Sequence, residues 1–280
     1  MAKIDIVVLS YNRIEELKIN LQKLSQLSYG NYTVIVVDNC STDGSAEFVK
    51  LNYPHFQLIQ MSYNSGVSVG RNAGFKRATG DIVIYLDDDA YPPLDLCEKT
   101  IELFDLNPNA GCLAYLIEIK NTGVYSNDSK TRLIKNYHGA GHAFRRSALV
   151  EIDYLDEDFF FGGEEIDSSL RMMEKGYEVI FAPEIVIAHD SRTRKLPISE
   201  QKVRAINYMK TFGMFYWKHF PIKHATLLTF KMCLSFFRHG VLNLNSPLLP
   251  LHGMIALYKC KSIILNKRKI ASNRVIDFYY

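Results

Sequence analysis

Short runs of β-branched and other apolar residues alternate with amphipathic segments along the first third of the chain. The runs at residues 4–9, 33–37, 56–61 and 82–86 have the length and composition of strands buried in a parallel sheet. Leucines recur at helical spacing after the first run, and Asn12 with Glu15 has the spacing of a capping box. The pattern predicts an α/β fold whose first helix begins near Asn12.

Apolar runs continue in the second half at wider intervals. Pro183 predicts a break between two of them, and the run after it ends at His189. One helical segment ends at Gly176, a residue type that commonly ends helices. The predicted strands are residues 113–119, 139–144, 177–181 and 185–188, and the predicted helix is residues 165–175.

Three consecutive aspartates, Asp87, Asp88 and Asp89, directly follow the fourth predicted strand. Asp38 follows the second strand and Ser10 the first, and the carboxyl ends of parallel strands line the ligand crevice of open α/β sheets. Three like charges need a counter-charge, and Mg²⁺ and Mn²⁺ take such oxygen ligands. The alternative is a solvated loop whose first aspartate caps the next helix.

A second acidic cluster lies at residues 162–167, where Gly162 and Gly163 precede Glu164, Glu165 and Asp167. Paired glycines let the backbone approach a ligand closely, and one of several adjacent carboxylates can act as a general base toward a hydroxyl group. The alternative is purely structural, because acidic residues are favourable at any helix N-terminus.

His189 and Arg71 are further candidates. His189 is either a hydrogen-bonded structural residue or a third ligand beside the aspartates. The turn at residues 10–13 contains no glycine, and the sequence contains neither a dinucleotide fingerprint nor a Walker A motif. Phosphate binding would therefore depend on a metal ion and on Arg71.

Charge divides the chain into an acidic body and a basic tail, residues 192–280. The tail carries 16 lysine and arginine residues against Glu200 and Asp277, whereas residues 1–191 carry 17 basic and 28 acidic residues. Because the tail is also rich in aromatic residues, the sequence favours an anionic membrane surface over nucleic acid as its partner. The alternative is packing of the tail on the body. Residues 241–258 of the tail carry no Asp, Glu, Lys or Arg, but two prolines and two asparagines leave too few apolar residues to span a bilayer.

The compartment is predicted from the cysteines and the first residues. The five cysteines are scattered and form no Cys-x-x-Cys pair, which favours a reducing compartment. The first residues lack the apolar core of a signal peptide. We expect a cytoplasmic protein, peripheral on the inner face of the cell membrane if the tail binds lipid.

Six segments occur in a recognisable order along residues 3–221. They are residues 7–13 (VVLSYNR), 36–45 (VVDNCSTDGS), 64–74 (NSGVSVGRNAG), 78–81 (ATGD), 87–89 (DDD) and 162–165 (GGEE). In this order they resemble the motifs of the family 2 glycosyltransferases, which have the GT-A fold. The Gln-x-x-Arg-Trp motif of the processive members is absent.

The resemblance implies a role for each matching residue. Glu165 falls where the family has its catalytic base, usually an aspartate, and Glu164 and Asp167 are alternatives. The implied metal ligands for Mn²⁺ or Mg²⁺ are Asp87, Asp89 and His189. The implied acceptor-binding residues are Gly162, Gly163 and Glu164. The implied nucleotide-sugar-binding residues are Ser10, Tyr11, Asn12, Asp38, Arg71, Asp87 and Asp88.

The resemblance also implies an architecture and an activity. A Rossmann-like nucleotide-binding half, residues 1–90, and an acceptor-binding half, residues 91–221, would share a mixed central sheet, and a helical basic extension would follow at residues 222–280. The implied activity is inverting transfer of one sugar from a nucleotide-diphosphate sugar, with UDP as the expected nucleotide, to a hydroxyl of a glycan or lipid-linked acceptor in cell-surface polysaccharide or glycoconjugate synthesis. The alternatives are a metal-dependent sugar nucleotidyltransferase and a non-catalytic sugar- or lipid-binding protein.

Overall fold

The computed structural model describes residues 1–119, 123–124, 130–190 and 197–279. The chain forms two compact units, one of Met1–Phe160 with Ser168–Arg192 and the other of Phe161–Asp167 with Thr193–Tyr280. The second unit thus includes more of the chain than the predicted extension at residues 222–280. The division into domains at residue 221 stays a prediction.

The first unit is built on one mixed sheet, as predicted. Among the described residues the strand order is β3-β2-β1-β4-β9-β6-β10-β5, with β7 paired to β6 and β8 to β10. The elements are β1 (Ile4–Ser10), α1 (Ile14–Leu24), β2 (Tyr32–Asp38), α2 (Ser45–Asn52), β3 (Gln57–Gln60), α3 (Gly66–Arg77), β4 (Ile82–Asp87), β5 (Ala90–Tyr91), α4 (Leu96–Leu106), β6 (Ala110–Ile119), β7 (Gly123–Val124), β8 (Arg132–Leu133), β9 (Gly141–Arg145), α5 (Arg146–Glu151), α6 (Glu164–Glu174) and β10 (Glu178–His189).

The first four strands are parallel, whereas β9 runs antiparallel to both β4 and β6. Leucines of α1 and alternate residues of β1 belong to the main apolar cluster on one face of the sheet. On the opposite face α3 packs closely, because a Cβ atom at Gly74 would lie 2.3 Å from the side chain of Val7. The central parallel strands therefore have helices on both faces, which explains the continuous apolar composition of β1, β2 and β4.

Two local predictions are wrong. The capping box at Asn12 and Glu15 does not form: α1 begins at Ile14, Asn12 has a left-handed backbone with φ 53°, and Asp43 accepts the N–H of Ile14. Pro183 does not end its strand either, because β10 continues from Glu178 to His189 with a register shift between Ala182 and Val186. A bulge is one of the places where a strand tolerates proline.

The second unit is helical beyond residue 197, which confirms the predicted helical extension. Helices α8 and α9 pack on α7 and on each other. Within the described residues, no helix combines the length and the apolar character needed to cross a bilayer. The helices are α7 (Ile198–His219), α8 (Ile222–Asn243), α9 (Leu249–Lys259), α10 (Lys261–Asn266) and α11 (Asn273–Tyr279).

Candidate functional site

The carboxyl ends of β1, β2 and β4 lie side by side, as their parallel pairing requires. Ser10 is level with Asp38 across one pair, and Leu9 is level with Asp87 across the other. Asp38 is buried and its carboxylate accepts the N–H of Ser41 at 3.3 Å. Three residues predicted from separate strand ends therefore share one edge of the sheet.

Asp87 is held by two neighbours. The hydroxyl of Tyr85 donates to its carboxylate at 2.7 Å, and the guanidinium of Arg71 lies 3.5 Å away. Arg71 comes from α3, lies over the Tyr85 ring with 4.2 Å between its Cζ and the ring centroid, and donates to the carbonyl of Gly139. Only 4% of Arg71 is exposed, so its charge is fixed beside Asp87.

Asp89 lies beside His189, although 100 residues separate them in the sequence. The antiparallel pair of β5 and β10 places His189 opposite Ala90, and the N–H of Asp190 donates to the carbonyl of Asp89. One carboxylate oxygen of Asp89 is 3.1 Å from Nε2 of His189, and the other accepts from Arg13 at 2.7 Å.

Asp87, Asp89 and His189 form a group that fits a divalent cation. Each offers one ligand atom, and the three atoms lie within 4.8 Å of one another. Two carboxylates with an imidazole are a donor set that Mn²⁺ and similar ions accept. Nδ1 of His189 is also buried, and no hydrogen-bond partner for it occurs among the described residues. The residues that the sequence singled out as ligands are thus together, while their role as ligands stays a prediction.

The charges of this group affect each other's protonation. Burial would raise the pKa of Asp89, but the hydrogen bond and charge of His189, followed by those of Arg13, outweigh it and lower that pKa. Burial would lower the pKa of His189, but the hydrogen bond and charge of Asp89 raise it. The pair therefore stabilises the charged form of each partner.

Asp88 has a different environment. It is 4% exposed, accepts the hydroxyl of Ser10 at 2.9 Å, and lies 3.5 Å from Arg13. Burial raises the pKa of Asp88 to about 8, against the lowering effect of Arg13. Ser10 and Asp88 thus bind each other, and their predicted contact with a nucleotide stays a prediction.

Three residues of this site have no role assigned from the sequence: Arg13, Asn20 and Tyr85. Arg13 joins Asp88 and Asp89 across the turn that follows β1. Asn20 is fully buried in α1, and its amide donates to the carbonyls of Asp87 at 3.2 Å and Ala90 at 2.6 Å. A lone asparagine among the leucines of a helix is the signal that could have revealed Asn20.

The turns after β1 and β2 are joined by hydrogen bonds. The N–H of Asn12 donates to the hydroxyl of Ser41, and the side-chain oxygen of Asn12 accepts the N–H of Thr42 at 2.7 Å. Tyr11, beside them, is 44% exposed. Asn12 is therefore a structural link between two turns, and its contact with a nucleotide is untested.

The second acidic cluster belongs to the second unit, apart from the residues of α6 that follow it. Gly162 and Gly163 have φ of 77° and 95°, a left-handed backbone that favours glycine. Glu164 is 2% exposed and Glu165 is partly exposed. Asp167, one of the alternatives for the base, is 1% exposed and accepts from Nε2 of His219 at 2.7 Å.

The C-terminal helix α11 also reaches this cluster within the second unit. The hydroxyl of Tyr279 donates to the carbonyl of Ile166 at 3.4 Å, and the Tyr279 ring packs with Phe215 and Phe220. Burial, with a smaller contribution from the charge of Asp167, raises the pKa of Tyr279 well above its ordinary value. The segment with the acidic cluster is thus held by residues far along the chain.

Comparison with solved structures identifies the fold as GT-A. One similar structure is Staphylococcus aureus TarS 1–349, with a TM-score of 0.62, 18% identity, and coverage of 88% of this chain and 74% of that one. Another is the mannosyltransferase PcManGT from Pyrobaculum calidifontis in complex with GDP-Man and Mn²⁺, with a TM-score of 0.61, 17% identity, and coverage of 99% and 78%.

The sequence assigns the chain to a family within that fold. Residues 5–153 match the family described as Glycosyl transferase family 2, and residues 82–260 match Glycosyl transferase family group 2. The chain belongs to glycosyltransferase family 2, which confirms the resemblance found in the sequence.

Curated relatives agree with this membership. An uncharacterized glycosyltransferase of Haemophilus influenzae is 34% identical over 38% of this chain and 36% of its own length. The uncharacterized glycosyltransferase YwdF of Bacillus subtilis is 31% identical over 56% of this chain and 63% of its own length. Poly-beta-1,6-N-acetyl-D-glucosamine synthase of Staphylococcus epidermidis is 25% identical over 64% and 48%. The chain spans between about a third and two thirds of the length of these relatives.

Proposed function

We propose that this protein transfers one sugar from a nucleotide-diphosphate sugar, a UDP-sugar in the first instance, to a hydroxyl of a glycan or lipid-linked acceptor, with inversion at the transferred carbon. The observation that carries the proposal is the grouping of Asp87, Asp89 and His189 at the carboxyl edge of the sheet, within 4.8 Å of one another. Family membership supports transfer rather than the nucleotidyltransferase or the non-catalytic binding protein.

The donor would bind at the carboxyl ends of β1, β2 and β4. Asp87, Asp89 and His189 would hold Mn²⁺ or Mg²⁺, which when bound neutralises negative charge on the diphosphate leaving group. Arg71, fixed beside Asp87, would add a positive charge to the same region. Asp38 would contact the nucleotide from the end of β2.

Two similar structures support a nucleotide-sugar donor and a metal ion. TarS 1–349 has been solved with UDP-GlcNAc, with a TM-score of 0.63 and 16% identity to this chain. The mannosyltransferase PcManGT holds GDP-Man and Mn²⁺. Poly-beta-1,6-N-acetyl-D-glucosamine synthase among the relatives supports a place in polysaccharide synthesis.

Glu165 would remove the proton from the acceptor hydroxyl as that oxygen attacks the sugar. Of the three carboxylates near the start of α6, Glu165 is the partly exposed one, whereas Glu164 and Asp167 are 2% and 1% exposed. The hydrogen bond from His219 to Asp167 supports a structural role for that alternative. Gly162, Gly163 and Glu164 would border the acceptor.

The test combines a donor panel with a base variant. The protein is incubated with UDP-GlcNAc, UDP-glucose and GDP-mannose, with Mn²⁺, with Mg²⁺ or with EDTA, and the released nucleoside diphosphate is measured. We expect metal-dependent release from at least one donor, and a loss of about 10²–10⁴-fold in rate in Glu165→Gln, the usual contribution of a general base. Binding of UDP and Mn²⁺, measured by calorimetry, should be unchanged in this variant.

Glu174→Gln is the matched control, because Glu174 is a carboxylate at the other end of the same helix. It should release nucleotide at the wild-type rate. Full activity of Glu165→Gln would refute the base assignment. A nucleotidyltransferase would release no nucleoside diphosphate from these donors, and would instead release pyrophosphate when given a nucleoside triphosphate and a sugar 1-phosphate. His189→Ala should bind Mn²⁺ more weakly in the calorimeter whether or not a transferable donor has been found.

A further inference from the structure

Exposed apolar side chains recur along α8 at intervals of three and four residues. The five residues of this stripe are each 44–60% exposed: Leu227, Phe230, Leu234, Phe237 and Val241. The residues that α8 buries lie on the other side of the helix: Ala225, Thr229, Met232 and Gly240. A surface helix ordinarily presents polar residues on the face opposite its buried side, so this apolar stripe needs an explanation.

Helix α9 repeats the pattern. Its buried residues are Leu249, Gly253 and Leu257, whereas the residues on its other side and just before it are 47–67% exposed: Leu248, Leu251, Ile255 and Tyr258. We call the stripes of α8 and α9 together the outer apolar face.

Both stripes face away from α7. The buried side of α8 meets α7 where the indole N–H of Trp217 donates to the hydroxyl of Thr229 at 3.0 Å. The buried side of α9 meets α7 where a Cβ atom at Gly253 would lie 2.5 Å from the sulfur of Met209. Because each helix packs on α7 through its other side, the exposed apolar residues are not part of that packing.

The lysine and arginine side chains of α8 and α9 are not balanced by any acidic residue of these helices. Between Glu200 and Asp277 the sequence contains 13 lysine and arginine residues and no aspartate or glutamate. The exposed basic residues of α8 and α9, together with the first residue of α10, are Lys223, Lys231, Arg238, Lys259 and Lys261. A second copy of this chain would set basic residues against basic residues, whereas anionic lipid headgroups would neutralise them.

We propose that the outer apolar face of α8 and α9 is a docking surface for an anionic lipid bilayer. The helices lie in the interface, with the apolar stripes among the upper acyl chains and the lysine and arginine side chains at the headgroups. This is the composition of an interfacial helix, an exposed aromatic and aliphatic face with basic residues beside it. The proposal concerns the second unit alone and does not depend on which sugar is transferred.

The test is co-sedimentation of the full chain with vesicles, without nucleotide sugar. Vesicles of phosphatidylcholine with about 30% phosphatidylglycerol are compared with pure phosphatidylcholine, at low and at high salt. We expect binding to the anionic vesicles that weakens with salt. Phe230→Gln with Phe237→Gln should lower the partition coefficient at least tenfold, and Lys231→Glu with Arg238→Glu should abolish the preference for phosphatidylglycerol.

The matched control removes exposed apolar side chains elsewhere: Leu51→Gln with Leu106→Gln, at residues that are 71% and 69% exposed in the first unit. It should bind vesicles as the wild type does. Circular dichroism checks the fold of each variant. Comparing wild-type binding to the two kinds of vesicle tests the proposal even if a variant does not fold. The proposal is overturned if the wild-type protein does not bind anionic vesicles, or if the phenylalanine variant binds them as strongly as the wild-type protein does. It is also overturned if light scattering shows a dimer that the phenylalanine variant dissociates, because the face would then join two copies.

Discussion

Asp43 links the starts of two helices, and its removal gives a sharp test of how the turns of the site are held. One carboxylate oxygen accepts the N–H of Ile14, the first residue of α1, at 2.9 Å. The other accepts the N–H and the hydroxyl of Ser45, the first residue of α2, at 3.1 Å and 2.6 Å. One side chain thus satisfies donors at two helix N-termini, next to the turn that carries Arg13.

The expected loss in the free energy of unfolding depends on the number of helix N-termini that Asp43 caps. Loss of a capping side chain costs about 1 kcal/mol per helix, so Asp43→Ala should lower the free energy of unfolding by about 2 kcal/mol. Asparagine keeps one side-chain oxygen and can serve one helix at a time, so Asp43→Asn should cost about 1 kcal/mol. The two variants therefore fall in a predicted order.

The effect of pH has a definite sign. Burial works to raise the pKa of Asp43, but the hydroxyl of Ser45 and the N–H groups of Ile14 and Ser45 lower it below its ordinary value of 3.8. A carboxyl group whose pKa is lowered by folding stabilises the protein above its unfolded pKa, and that contribution is lost as the pH falls through the folded pKa. The difference between wild type and Asp43→Ala should be constant from about pH 7 to about pH 5 and smaller below pH 3.8.

The assay is urea denaturation followed by far-ultraviolet circular dichroism, at about pH 7, 5 and 3.5. Asp95→Ala is the control, because Asp95 precedes α4 without a side-chain capping hydrogen bond and pairs with Lys99 on the surface. It should change the free energy of unfolding by less than about 0.5 kcal/mol. If Asp43→Ala is no less stable than Asp95→Ala, the double cap does not contribute as argued.

Two further variants test residues that hold the sites. Asn20→Ala removes the donor to the carbonyls of Asp87 and Ala90, and should cost about 2–4 kcal/mol in urea denaturation and weaken Mn²⁺ binding in calorimetry. Its control, Asn52→Ala at the exposed end of α2, should cost less than about 0.5 kcal/mol. His219→Ala removes a buried hydrogen bond to Asp167 and should lower the free energy of unfolding by about 1.5–3 kcal/mol. Unfolding is measured by the fluorescence of the single tryptophan. Its control, His239→Ala at an exposed position, should not lower the free energy of unfolding. Equal stability of either variant and its control would refute the role given to that residue.

Local pattern is enough to predict the parallel part of the fold. Runs of β-branched residues mark β1, β2 and β4, and the rule that ligands bind at carboxyl strand ends groups Asp38 with Asp87. The patterns do not reveal helices α4 and α5, although α4 has a clear buried side, because their neighbourhood has no distinctive caps. Boundaries also fail where tertiary contacts decide them, as at Asn12, whose side chain bonds to Thr42 and not to its own helix.

What sequence patterns cannot supply is pairing across long separations. His189 reaches Asp89 because β10 pairs with β5, a strand of two residues that no periodicity reveals. Arg13 belongs to one of the family-like segments, but its bonds to Asp88 and Asp89 depend on the register of β1 with β4. Register is set by the packing of the whole sheet, so it is visible only once the strands are assembled.

The three aspartates illustrate how identical neighbours receive different environments. Asp87 ends β4, and Asp88 and Asp89 form the turn between β4 and β5. In this turn Asp89 joins Asp87 in one cluster, whereas Asp88 accepts a hydrogen bond from Ser10. Each carboxylate has its own combination of neighbours: Arg71 for the first, Ser10 and Arg13 for the second, and Arg13 with His189 for the third. The motif therefore describes only the composition of the site. The different environments of its three carboxylates come from residues that other strands and helices bring to them.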